Sequence, residues 1–346
     1  MNTMSHETIP AMLDIMEKYN QGSNIREELS TLLDHPDYQK ELERYGNHPM
    51  RKGFTKEEFL NFFINIRTLK STDIESLDLK TRQKDLLEIM DNIEFYRSSY
   101  NKIKMINTKH LEEAIIIAKN GLPKSIDISG VHVMLIVGLG MSGGYIYKNN
   151  IMGDLKLIVS GDGPNLSGLM AHESHHLGLF KIMEKTDMSK QNVSLSTKLM
   201  LSFFGEGTAI KYCNNFEGKL TSKMYPNKSS DVVKQSFDYY LNNFDSIYNQ
   251  LRIDLESLKN EKDEKKFEEI FMKNYFSFDI EINGILHENY LTQPICYFIG
   301  ADIWGLIHDE FGIEKVFELF DEPQNIFSVY NRSLQNIGRK DLMIEM

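Results

Sequence analysis

One short stretch, Leu166 to Gly178, constrains the fold of this chain more than any other. It contains the pattern His-Glu-x-x-His at residues 172–176. Residues four apart on a helix lie on one face, so His172 and His176 would direct two imidazole nitrogens at one point. Such a pair is what a zinc ion needs, and Glu173 stands where it can take a proton from a water molecule on the metal. The pattern therefore predicts a helix that binds zinc.

The residues around this pattern indicate that the helix is buried. They are apolar or small: Leu166, Leu169, Met170, Ala171, Leu177 and Leu179. The alternative is a surface helix whose histidines are solvated. A buried helix should not carry three unpaired histidines, because unpaired polar groups are costly away from water. The composition therefore favours the metal-binding interpretation.

A catalytic zinc site keeps three protein ligands, so the sequence must supply a third. The metzincin pattern would have Gly at 179 and His at 182, but Leu179 and Ile182 stand there, which excludes that class. Glu184 is twelve residues beyond His172, roughly 18 Å along the same helix axis. It cannot complete the site unless the helix ends first.

Glu206 is the better candidate for the third ligand. It lies in the apolar stretch 199–210 between two glycines, which allow the backbone to approach closely. A carboxylate in such surroundings needs a partner, and a cation would serve. The alternative is an acidic residue that interacts with the dipole at the start of a helix. His287 and Glu288 are the reserve pair, although a surface or supporting role suits them better.

Size, charge and cysteine content limit the classes of protein that remain. The 346 residues suffice for one large domain or two ordinary ones. A formal charge of −11 argues against nucleic-acid binding, since phosphate-binding surfaces are basic. The first eight residues show no basic region followed by an apolar core, so we expect no signal peptide, and the apolar runs are too short for a membrane span. Cys213 and Cys296 lie in apolar contexts without metal-site spacing, so we expect reduced thiols and a cytoplasmic protein.

The first 125 residues are predicted to be helical. Apolar positions recur at helical spacing, for instance across residues 54–66, where Thr55 and Glu58 are predicted to form a capping box. Short strand-like segments follow at 131–137, 145–147 and 155–159, joined by glycine-rich turns. Helices resume with the His-Glu segment. We therefore expect an α+β fold that is mostly α, with a helical region at 1–125 and a catalytic domain with a small antiparallel sheet at 126–346.

Three glycines between the first two of these strands match a nucleotide-binding pattern. Gly138, Gly140 and Gly143 form G-x-G-x-x-G directly after a strand. A dinucleotide site requires a helix to begin at the third glycine, whereas residues 145–147 continue as a strand. We therefore interpret the segment as a flexible hairpin near the active site. Its exposed edge would be suited to holding an extended peptide by strand addition.

These motifs together resemble the gluzincin metallopeptidases, of which thermolysin is the familiar representative. His-Glu-x-x-His is followed some thirty residues later by Gly-Glu-Gly-x-Ala at 205–209, and a late Pro-x-x-Tyr-x-x-Gly is matched at 294–300. The chain is more similar still to bacterial families described as zinc-dependent peptidases. The resemblance spans about 131–335. It implies a zincin-like core, Zn²⁺ held by His172, His176 and Glu206, and Glu173 as general base. Thermolysin-type enzymes place Asp four residues after the ligand Glu, but Ile210 stands there.

The sequence predicts hydrolysis of a peptide bond in a peptide or protein substrate. An oxyanion would need a donor besides zinc, and we favour Tyr297, although an aromatic core role suits it equally. The other side chains of suitable type are Tyr290, His175 and His287. Two alternatives remain: a catalytically inactive zinc-binding helical module, and a zinc hydrolase acting on esters or other amides. The substrate, endo- or exo-cleavage, the oligomeric state and the role of the first helices are not decided by the sequence.

Overall fold

The computed structural model describes residues 1–47, 52–159, 166–183, 193–214, 216–222, 231–282 and 284–345, and most of them are helical. The helices before residue 184 are α1 (Thr8–Asn20), α2 (Arg26–Leu33), α3 (Pro36–Gly46), α4 (Lys56–Ile64), α5 (Leu77–Asp91), α6 (Ile93–Ile103), α7 (Thr108–Lys119), α8 (Leu155–Val159) and α9 (Leu166–Met183). Those after residue 193 are α10 (Leu195–Ser202), α11 (Phe204–Cys213), α12 (Asp231–Leu258), α13 (Glu264–Asn274), α14 (Ile295–Phe311), α15 (Ile313–Asp321) and α16 (Ile326–Asn336). A mostly helical α+β protein is confirmed.

The chain forms two compact units, and each is built from two separate segments. The first unit comprises residues 1–113 and 129–169, and the second comprises residues 114–128 and 170–346. The amino-terminal helices therefore share a unit with the strands that follow residue 129. The domain boundary predicted at residue 125 stays a prediction.

Helix α4 shows how local sequence sets an element of the first unit. Thr55 accepts a hydrogen bond from the backbone N–H of Glu58, and the Glu58 carboxylate accepts one from the N–H of Thr55. This reciprocal pair satisfies two of the N–H groups that a helix start leaves without partners. The helix then buries four side chains: Phe59, Leu60, Phe62 and Phe63. The predicted capping box is confirmed.

In the described residues, the sheet of the first unit has four strands. They are β1 (Thr3–Ser5), β2 (His132–Ile136), β3 (Gly144–Tyr147) and β4 (Asn150–Asp154), in the order β1-β2-β4-β3. The strands β1, β2 and β4 are parallel, and only β3 is antiparallel to its neighbour β4. The expectation of a purely antiparallel sheet was therefore wrong. Strand β3 lies at one edge of this sheet, and the addition of a substrate peptide there stays a prediction.

The prediction of a strand at 155–159 was also wrong, because these residues form α8. Leu155 and Ile158 are both buried, and a spacing of three puts them on the same side of a helix but on opposite faces of a strand. Lys156 forms salt bridges with Asp85 and Glu88. The strand lies five residues earlier, in β4.

The glycine loop between β2 and β3 is held by buried ionisable side chains of the same unit. Arg82 pairs with Asp154, and its Nε donates to the carbonyl of Gly138 over 2.9 Å. The N–H of Gly138 donates to Asp154 (3.1 Å), and that of Leu139 donates to Glu41 (3.0 Å). After Gly143 the chain enters β3, so no helix begins at the third glycine. The strand predicted at 145–147 is confirmed.

Glu41 gives the first unit an expected pH dependence. Burial raises the pKa of its carboxyl from 4.5 to about 8, against the opposing effects of the Leu139 N–H and Arg82. Because the folded state holds this proton more tightly than the unfolded state, the free energy of unfolding should fall as pH rises through this window. The slope should reach about 1.4 kcal/mol per pH unit. In Glu41→Gln, urea unfolding followed by circular dichroism should show this slope removed.

The control for this measurement is Glu43→Gln, which changes an exposed carboxylate on the same helix. Its unfolding free energy should keep the wild-type slope between about pH 5 and 8. An unchanged slope in Glu41→Gln would mean that the buried carboxyl is not the group that titrates.

In the second unit, helices α11 and α14 meet where each carries a glycine. A Cβ atom on Gly207 would lie 2.6 Å from the Cα atom of Gly300, and one on Gly300 would overlap the carbonyl of Phe203. Both positions therefore exclude any larger residue. A small hairpin, β5 (Ile280–Ile282) with β6 (Ile285–His287), lies between α13 and α14 in the sequence.

Candidate metal centre

Helix α9 places His172 and His176 on one face, as the sequence predicted. Their Nε2 atoms are 3.0 Å apart, and the rings lie edge to face with centroids 4.6 Å apart. His172 is 9% exposed, so the pair lies largely inside the second unit. The spacing of four residues therefore brings two imidazole nitrogens to one point.

Glu206 comes to the same point from helix α11. Its Oε2 atom lies 3.1 Å from the Nε2 atom of His172 and 3.1 Å from that of His176. In the part of the chain that the structure describes, these three residues form the one group of His, Cys, Asp or Glu side chains whose ligand atoms meet within 4.8 Å. His287 and Glu288 are exposed and do not join it, and Glu184 lies outside the described residues.

The chemistry of these three atoms fits a bound zinc ion. The Nδ1–H of His172 donates to Oδ1 of Asn214 over 2.8 Å, which leaves the lone pair of His172 on Nε2. This lone pair faces another imidazole nitrogen and a carboxylate oxygen, so a cation between them would satisfy all three. Ligand atoms of a tetrahedral zinc, at about 2.0–2.1 Å from the metal, lie roughly 3.3 Å apart. The observed separations of 3.0–3.1 Å are close to that spacing.

The electrostatics also indicate a site that favours positive charge. Burial favours the neutral form of His172, but the hydrogen bond to Glu206 and its negative charge outweigh this and raise the pKa of His172 to about 9. Burial opposes ionisation of Glu206, yet His176 and His172 hold the pKa of its carboxyl well below the ordinary value. In the absence of a metal, a proton on His172 supplies the positive charge beside Glu206. A bound cation would replace that proton.

Glu173 borders the site from the turn of α9 that carries His172. Its side chain is 7% exposed, and its negative charge acts on His172 and on Tyr297. A carboxylate in this place lies beside the ligands without being one of the three. Its role as general base stays a prediction.

Tyr297 lies in the first turn of α14, against the ring of His172. The two rings are nearly parallel, at 15°, with centroids 6.2 Å apart. Burial and then the charge of Glu206 raise the pKa of the Tyr297 phenol well above its ordinary value. Its hydroxyl therefore keeps its proton and can act as a hydrogen-bond donor.

The other side chains considered as oxyanion donors are engaged elsewhere. His175 is fully buried, and its Nε2 lies 3.1 Å from the carbonyl of Gly121. Burial and the neighbouring His176 lower the pKa of His175 to about 3, so it stays neutral. The rings of Tyr290 and His287 contact each other. Of the four, Tyr297 is the one whose ring stacks on a predicted ligand.

Sequence reasoning missed two features of the site. One is Asn214, whose carboxamide binds His172; a single polar residue after a helix carries no recognisable signal. The other is the close crossing at Gly207 and Gly300, which brings the helix of Glu206 against the helix of Tyr297. The two glycines were part of the motifs, but their mutual contact is not visible in one sequence.

The partly buried His-His-Glu cluster beside a second glutamate could hold a metal ion, and this set of side chains is of the type found in zinc hydrolases. Comparison with family models agrees: the chain belongs to the family described as "Putative zinc dependent peptidase (DUF5700)", matched over residues 29–337. The match includes most of the first 125 residues, whereas the resemblance based on the motifs alone began at about residue 131. Comparison with curated proteins and with solved structures gives no match. None of the described helices has the length and apolar composition needed to cross a bilayer.

Proposed function

We propose that the protein hydrolyses peptide bonds with a zinc ion held by His172, His176 and Glu206. The observation that carries this proposal is the meeting of the three ligand atoms within 3.1 Å, next to the Glu173 carboxylate. Membership of the zinc-dependent peptidase family supports it. The finer assignment to a gluzincin-type, zincin-like core rests on the order of the motifs and on Glu206 as third ligand.

The proposed chemistry divides between the ion and the chain. When bound, zinc would polarise the scissile carbonyl and make water acidic enough to attack it at neutral pH. Glu173 would accept the proton of the attacking water and deliver it to the nitrogen of the leaving amine. Tyr297 would donate a hydrogen bond to the carbonyl oxygen as negative charge develops there. Its raised pKa suits this role, since a donor must keep its proton.

Metal content tests the ligand set directly. Glu206→Ala should bind Zn²⁺ more weakly than wild type. Loss of a residue that only supports a ligand typically lowers metal affinity about 10–100-fold, and loss of a ligand should lower it further. Metal per chain and affinity are measured by atomic absorption and by competition with a chromogenic chelator. Glu268→Ala, on the surface of α13, should match the wild type.

Two results would contradict the proposal. A wild-type protein that binds no zinc after metal is added back would exclude a zinc enzyme. Equal zinc affinity in wild type and Glu206→Ala would mean that Glu206 is not the third ligand. His172 and His176 would remain candidate ligands. Zinc binding without hydrolysis of peptides, esters or amides would favour the alternative of an inactive metal-binding module.

A further inference from the structure

His172 is held at both of its ring nitrogens by a single helix. Glu206, in the first turn of α11, approaches Nε2 at 3.1 Å, and Asn214, directly after the last residue of α11, accepts from Nδ1–H at 2.8 Å. Asn214 follows Glu206 by eight positions, which is roughly 12 Å along a helix axis. The imidazole therefore lies along α11 with a partner at each end.

The other predicted ligand is held differently. In the described part of the chain, His176 makes its hydrogen-bond contacts through Nε2 alone, with His172 and Glu206. His172 also has the ring of Tyr297 stacked on one face. Among the described residues, His172 is therefore the ligand whose ring has partners at both nitrogens and on one face.

We infer that Asn214 is the positioning residue of the metal centre. Its Oδ1 can only accept, so it keeps a proton on Nδ1 of His172 and leaves the Nε2 lone pair directed at His176 and Glu206. Ile210, one turn earlier on α11, has no side-chain acceptor for Nδ1–H of His172, whereas Asn214 provides one. The inference rests on the proposed zinc site and adds to it a residue that sets the tautomer and orientation of one ligand.

The backbone and the side chain of Asn214 have separate partners. The N–H of Asn214 donates to the carbonyl of Ile210 over 3.1 Å, and the carboxamide oxygen accepts from the imidazole of His172 over 2.8 Å. A partner of this kind on a ligating histidine raises metal affinity, since the ring does not have to be oriented on binding.

The first test compares two substitutions in the full-length chain. Asn214→Leu has similar size but no acceptor, and its Zn²⁺ affinity should fall about 10–100-fold. Asn214→Asp restores an acceptor for Nδ1–H and should bind zinc at least as tightly as wild type. Affinities are measured by competition with a chromogenic chelator. Asn65→Leu, which removes another asparagine from the end of a helix (α4), should leave zinc affinity unchanged.

A second measurement needs no variant. In the zinc-loaded wild type, long-range ¹H–¹⁵N correlation spectra should show His172 bound to metal through Nε2, with a slowly exchanging proton on Nδ1. Zinc on Nδ1, or a proton there that exchanges rapidly with water, would overturn the inference even if Asn214→Leu fails to fold. So would equal zinc affinity in Asn214→Leu and wild type. A wild type without zinc would instead overturn the proposed function on which the inference rests.

Discussion

Replacing Glu173 by glutamine should lower kcat/KM for peptide hydrolysis by about 10²–10⁴-fold, while zinc content stays at the wild-type level. Glutamine has the size of glutamate but cannot take a proton from the attacking water. Glu173 lies beside the three candidate ligands and is not one of them, so the substitution should leave the metal in place. Hydrolysis of a peptide mixture is followed by mass spectrometry, and zinc per chain is measured on the same preparations.

The matched control is Glu268→Gln, which makes the same chemical change on the exposed surface of α13. It should hydrolyse the mixture at the wild-type rate. Full activity in Glu173→Gln would exclude this residue as the base and would leave His-Glu-x-x-His as a metal-binding pattern only. Loss of zinc together with activity would show that Glu173 supports the ligands instead.

Alanine at Gly207 should destabilise the second unit by about 1–3 kcal/mol or more and weaken zinc binding, whereas alanine at Gly205 should not. A methyl group on Gly207 would press on the backbone of Gly300, which cannot move aside as a flexible side chain can. The resulting separation of α11 from α14 would displace Glu206 from the site. The free energy of unfolding, followed by the fluorescence of Trp304 in α14, and the zinc affinity report the two effects.

Gly205 provides a control on the other side of Glu206. Apart from its chain neighbours and the backbone of its own helix, no atom of the described residues lies within 4 Å of the position that its Cβ would take. Because alanine is the better helix former, Gly205→Ala should be neutral or stabilising by up to about 1 kcal/mol. Of the two substitutions on this helix, Gly207→Ala should therefore lower the free energy of unfolding and Gly205→Ala should not. Equal effects would mean that backbone conformation, rather than the contact with Gly300, decides stability at these glycines.

Much of the candidate site is predictable because its signals are local. A spacing of four on an apolar helix indicates that His172 and His176 share a face, and a carboxylate between glycines in an apolar stretch stands out. Their meeting, at 3.0–3.1 Å, depends on how α9 and α11 pack. The role of Asn214 depends on the same packing, so no pattern in the sequence indicates it.

The fold shows the same limit in its short elements. The capping box at Thr55 is a contact over three residues, and the sequence is enough to locate it. Residues 155–159 are β-branched and apolar enough for a strand, but Leu155 and Ile158 are both buried on a helix, which single-residue preference does not reveal. Strand β1 has three residues and exists through its parallel pairing with β2, which lies more than a hundred residues later.

The glycine loop at 138–143 has a consequence for how sequence motifs are interpreted. In a nucleotide-binding loop, backbone N–H groups point outward and donate hydrogen bonds to the phosphates of the ligand. Here the N–H groups of Gly138 and Leu139 are bound by carboxyl groups of the same chain, from Asp154 and Glu41. These two carboxyl groups occupy the place that the phosphates of a nucleotide would take. The same pattern of residues can thus mark a loop that binds a phosphate or a loop whose N–H groups already donate to buried carboxyl groups of the same chain.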